Sequence, residues 1–145
     1  MSQAATQFII CDEITSIGGV GNPVVLNGSS GSIAFYLRVI ALTGTTPSLQ
    51  VYIQHSPDEG STWLDFISFT AADVPSTQVA SWSRSTAGSA VTQCALTGSG
   101  VLYPGTVLNG PIADDMVRVL WTLTGTSPNA EFSVLALIPG VGNNC

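Results

Sequence analysis

The sequence contains no lysine, and its only cations are Arg38, Arg84 and Arg118, set against nine carboxylates. A phosphate backbone is bound by displacing counterions with several Lys or Arg side chains. A net charge of −6 therefore excludes the electrostatic route to nucleic acid, and it repels anionic membrane headgroups as well. Charged residues of both signs amount to 8%, where a soluble chain usually carries about 25%. A surface built instead from Ser, Thr, Asn, Gln and Gly suits a protein that packs against copies of itself or a partner. No apolar run approaches the ~20 residues of a transmembrane helix. Met1–Thr6 has no basic segment leading into an apolar stretch, so no secretory signal is expected.

Cysteine is scarce and odd in number: Cys11, Cys94 and Cys145, with no CxxC pair. This fits neither a disulfide framework nor a zinc site. Three free thiols in a reducing cytoplasm are expected, with one disulfide and a spare thiol as the alternative. Helix signals are also missing. No dozen residues keep apolar positions at helical spacing without a Gly, a Pro or a β-branched run intervening. Disorder does not follow, because 45% of the residues are hydrophobic and the charge is low, the reverse of a disordered composition.

What is present reads as strands. Short runs of Val, Ile, Thr and aromatics are punctuated by Gly, Pro, Asn and Ser. They predict strands near Gln7–Cys11, Pro23–Leu26, Ser32–Leu42, Leu49–Ser56, Trp63–Phe69, Gln78–Ser83, Met116–Thr124 and Glu131–Leu137. The expected fold is all-β: a single antiparallel β-sandwich of about eight strands, jelly-roll-like, over residues 1–145. Met1–Thr6 and Pro139–Cys145 read as small-residue arms that order against a neighbour, and Ser83–Gly100 as a long loop.

One feature repeats. LRVIALTGTTPSLQVYI (Leu37–Ile53) recurs as VRVLWTLTGTSPNAEFSV (Val117–Val134), with one residue more in the second copy. Each copy reads as a hairpin whose TGT-S/T-P turn lies between two strands, with Gly supplying positive φ and Pro leaving the ladder. Period 2 turns Arg38 and Arg118 away from the core.

Chemical motifs are sparse. His55 is the sole histidine, and with Ser56 and Asp58 nearby it invites a triad reading. All three fall in a hairpin turn open to water, so an exposed turn histidine is expected and catalytic residues are none. Asp58, Glu59 and Asp65 do not match the alternating oxygens of an EF-hand. Asp114-Asp115 alternate across a strand and make a poor acid/base couple. No metal and no cofactor is expected. Gly18–Gly21 is a loop without the helix that a phosphate site needs. Asn27-Gly28 and Asn109-Gly110 read as tight turns. Trp63, Trp82 and Trp121 read as core anchors rather than a sugar platform. Trp63 and Asp65 share a face, which places Asp65 at the sheet rim or beside an arginine.

VYIQHSPDEGSTWLDFISF (Val51–Phe69) resembles a hairpin of small structural proteins in tailed bacteriophages: a strand ending in Q-H-S, a P-D-x-G turn, then T-W and an acidic residue opening the next strand. The segments Leu37–Pro47 and Val117–Val134 resemble two further motifs of those proteins, in the same order. The resemblance covers about half the chain and implies a non-enzymatic virion component with a β-sandwich or jelly-roll domain. The implied role is a capsid decoration (cement) protein on the exterior of the phage head, assembled in the bacterial host cytoplasm and stabilising the shell. Its implied partners are the major capsid protein and copies of itself, with a trimer favoured. The alternative is a tail- or fibre-associated module that recognises a receptor or carbohydrate.

Overall fold

The computed structural model describes residues 6–26, 31–84, 93, 100–110 and 116–138, and none of these is helical. Among the described residues eight strands form one antiparallel sheet. They are β1 (Thr6–Thr15), β2 (Gly19–Val20), β3 (Val24–Val25), β4 (Ser32–His55), β5 (Leu64–Ser68), β6 (Ser76–Ser83), β7 (Thr106–Val107) and β8 (Met116–Ile138). The all-β class and antiparallel arrangement are those the alternation predicts.

The repeated hairpins are not hairpins. β4 and β8 run straight through their TGT-S/T-P segments and pair with each other, from Ala34 opposite Leu137 to His55 opposite Val117. Four predicted strands are thus two long ones. Register shifts between Thr43, Thr45 and Ser48 mark the place where both bend. The bend uses positive φ at Gly44 (115°) and Thr46 (47°), and at Gly125 (125°) and Ser127 (48°). A Cβ on Gly44 would lie 2.9 Å from Pro128 Cα and Ser127 O, and one on Gly125 would lie 3.0 Å from Pro47 Cα and Thr46 O. Each copy of the repeat therefore seats its glycine against the other's Ser/Thr-Pro. The turn chemistry is real, but its partner is the other copy rather than its own strand.

The bend folds the sheet over itself. At ~3.3 Å per residue a straight β4 would separate Phe35 from Ile53 by about 60 Å. Yet Phe66, next to the residue that pairs with Ile53, meets Phe35 edge-on at 5.6 Å. One half of the sheet holds β1, residues 130–138 of β8, residues 32–43 of β4, and β6. The other holds β2, β3, residues 116–124 of β8, residues 48–55 of β4, β5 and β7. Between the halves lies one core that includes Leu26, Phe35, Val51, Phe66, Trp82, Val119 and Phe132. Trp82 on Phe66 (6.1 Å) and Trp121 on Phe132 (5.4 Å) also cross it. Alternation along both long strands supplies the inward side chains, as period 2 requires.

Gly18–Gly21 is not wholly a loop. Gly19 and Val20 form β2 on β8, and a Cβ on Gly19 would lie 2.8 Å from the Trp121 ring. Glycine lets this segment lie flat on the indole, whose Nε1 donates to Ile17 O at 3.0 Å. Asn109-Gly110 closes the end of β6: Ser83 N–H donates to Asn109 Oδ1 at 2.8 Å, and Gly110 N–H to Ser83 O at 2.9 Å. The arms Met1–Thr6 (Thr6 excepted) and Pro139–Cys145 lie outside the described residues, as do Asn27-Gly28, Asp114-Asp115, Cys94 and most of Ser83–Gly100.

Candidate functional site

Two polar clusters sit at the end of the sheet where β4 runs into β5. The first is the turn that holds the sequence's candidate triad. Ser56, fully buried, donates from Oγ to Asp58 Oδ1 at 3.0 Å and accepts the Gly60 N–H at 2.6 Å. Asp58 Oδ1 also accepts the Thr62 N–H at 2.6 Å. These bonds hold the Asp58 carboxyl below its ordinary value, the largest contributions coming from Thr62. Serine and aspartate are therefore engaged in closing the turn, in which Glu59 takes φ of 59°.

His55 is not the exposed turn residue expected. It is 7% accessible, pairs with Leu64 and Val117 in the sheet, and stacks edge-on against Phe66 at 5.6 Å. Its Nδ1 has no hydrogen-bond partner among the described residues. Burial pushes its pKa below the usual histidine value. Asp58 caps the turn and does not orient this ring, so Ser56, His55 and Asp58 do not assemble into the ordered nucleophile–base pair of a triad. Among the described residues no three His, Cys, Asp or Glu side chains come together to hold a metal.

The second cluster lies on the outer face of the same half of the sheet. Asp65 is completely buried there. Its Oδ1 accepts Gln54 Nε2 at 2.7 Å, and its Oδ2 accepts the N–H groups of Val101 and Leu102 at 2.6 and 3.0 Å. Arg118 Nε donates to Gln54 Oε1 at 2.9 Å, and its guanidinium stacks 4.4 Å from the Trp63 ring centroid. Trp63 Nε1 in turn donates to Gly60 O at 3.1 Å, joining the two clusters. The expectation that Asp65 sits at the rim or pairs with an arginine is corrected: it is buried, and Arg118 reaches it through Gln54. A buried carboxylate is tolerated because several donors satisfy it. Burial lowers the Arg118 pKa, partly opposed by the charge of Asp65. Burial and that same charge raise the Tyr52 phenol.

This network fastens residues 100–102 onto the sheet. A Cβ on Gly100 would lie 2.7 Å from the Tyr52 ring, so only glycine passes there. Sequence reasoning turned Arg118 away from the core but missed Gln54 and Tyr52 beside it. The only sign of them was polar residues at alternate positions of strands whose other positions are apolar. Trp63, Trp82 and Trp121 are all buried, so no tryptophan is left exposed to stack on a sugar. Cys11 is a free, buried thiol, and burial, reinforced by Glu13 and Asp12, pushes its pKa up to about 12.

No known family model, no curated protein and no solved structure matches this chain. Among the described residues no helix is long and apolar enough to cross a membrane.

Proposed function

We propose that the chain is a non-enzymatic structural protein of a tailed-phage virion, acting as a decoration protein on the exterior of the head. The motif resemblance supplies the setting. The observation that carries the structural role is where the polar groups point. In the described residues the side chains with chemical potential, Ser56, Asp58, Asp65, Gln54 and Arg118, are bonded to one another and to the backbone. Meanwhile large apolar side chains such as Ile9, Ile14, Val79 and Tyr103 stand in the open. A protein that ties up these polar side chains internally and leaves apolar area outside is suited to assembly rather than turnover.

Attachment through the apolar surface is only weakly screened by salt, unlike attachment through exposed ion pairs. Purified protein mixed with particles assembled from the capsid protein of the same genome should co-sediment with them and remain bound in molar salt. It should also raise the temperature at which the shells come apart. Failure to co-sediment under any salt condition would refute the decoration role. Binding to tails or fibres instead would move the protein to a receptor- or carbohydrate-recognising module.

A further inference from the structure

The two outer faces of the folded sheet differ. Over β5 and residues 48–55 of β4, the chain covers itself with residues 100–102. Over the other half, nothing among the described residues does so. There the register aligns side chains in rows across four strands. One row is Ile9, Leu135, Tyr36 and Val79, on β1, β8, β4 and β6 in turn. Ile9 is 63% and Val79 56% exposed. On one side of this row lie Gln7, Leu137, Ala34 and Ser81, and on the other Asp12, Ser133, Arg38 and Thr77. A shallow groove of about 230 Å³ opens between Gln7, Tyr36, Arg38, Leu135 and Leu137.

Arg38 is exposed, and its guanidinium makes no hydrogen bond or ion pair among the described residues. In a chain with three cations, one stands unpaired on its barest apolar face. Asp12 lies in the same row at the other side of Ser133, which holds it with a hydroxyl bond of 3.2 Å.

We propose that this face is a dimerisation surface on which a second copy packs, about a twofold axis parallel to the strands between β4 and β8. That operation exchanges the columns and keeps the rows. Ile9 then faces the second copy's Val79, and Leu135 its Tyr36, so the apolar row closes on itself. Arg38 faces the second copy's Ser133, one strand from its Asp12 and within reach of a long side chain. Two symmetry-related charge pairs thus lie in the row beside the apolar one, as an isologous contact requires. A threefold, which the phage resemblance implies, repeats no such match. Four strands at ~4.8 Å spacing and about eight residues at ~3.4 Å give a flat patch of about 500 Å² per copy. Side chains standing off that plane raise the accessible area toward the ~800 Å² per partner of standard interfaces, near the lower end of stable association.

The inference concerns the isolated protein and does not rest on the virion reading. Sedimentation equilibrium of the full chain should give twice the 14.9 kDa protomer mass with a micromolar dissociation constant. Val79→Lys should weaken the dimer at least tenfold, or about 1.4 kcal/mol. Arg38→Asp and Asp12→Arg should each weaken it, and the two together should restore it, because the exchanged charges again face each other across the axis. Since these three positions are exposed, an unchanged far-UV spectrum separates loss of association from loss of fold. A monomer at several hundred micromolar, an oligomer of another order, a dimer unmoved by Val79→Lys, or no rescue in the charge exchange would overturn the proposal.

Discussion

Gly44→Ala is the sharpest test of how the two long strands are bent. The new methyl group would lie 2.9 Å from Pro128 Cα and Ser127 O, and 3.0 Å from Thr126 O. All three are backbone atoms, so no side chain can swing away. The residue also sits at φ of 115°, where an alanine is strained by roughly 1–3 kcal/mol. Overpacking adds about 1–3 kcal/mol. A loss of about 3–5 kcal/mol is expected, a large part of the ~5–15 kcal/mol that holds a typical domain. Gly125→Ala should match it, because its Cβ would meet Pro47, Thr45 and Thr46 in the same way. Gly31→Ala is the control, with nothing within 4 Å of the new atom. Urea unfolding followed by the buried tryptophans measures all three. The double variant decides the architecture. In two independent hairpin turns the losses would add, whereas in one interlocked corner the second should cost at least about 0.5 kcal/mol less once the first has opened it. Strict additivity, or a Gly44→Ala protein as stable as the Gly31→Ala one, would refute the corner.

Asp65→Asn keeps the shape but removes the charge that gathers the Val101, Leu102 and Gln54 donors. It should cost roughly 1–3 kcal/mol and speed amide exchange at residues 101 and 102. Burial lowers the His55 pKa from its usual 6.5, so the unfolded chain binds a proton that the folded one refuses. Stability is then complete above the unfolded value and falls as pH drops below 6.5 toward the folded one. His55→Phe should flatten that slope in the window just below 6.5, above the range where carboxylates titrate; an equal slope in the variant would exclude His55 as its source. With its pKa at about 12, the Cys11 thiol should resist maleimide at neutral pH in a Cys94→Ser/Cys145→Ser background and react only on unfolding. Rapid native labelling would show that the β1–β8 edge opens freely.

The sequence by itself determined what local chemistry determines. Alternation along Ser32–Leu42 and Glu131–Leu137 marks strands and their inward faces, because a strand shows its period whatever it pairs with. Positive-φ glycines and the following prolines mark where the backbone must turn aside. The buried tryptophans follow from their size, and the shared face of Asp65 and Trp63 pointed at the network that the sheet provides. Only the tertiary structure decided what those signals join. A TGT-S/T-P segment bends a chain equally well in a hairpin or in a strand that crosses a corner. The choice lies in a partner some eighty residues away in sequence, in which Gly44 and Gly125 find each other's prolines. The same holds for His55: its flanking S-P-D-E-G is turn chemistry and reads as exposed, but the ring faces Phe66 because β5 is laid beside β4. The bare row from Ile9 to Val79 exists only because the register of four strands sets those side chains level, and register is a property of pairing that no single strand carries.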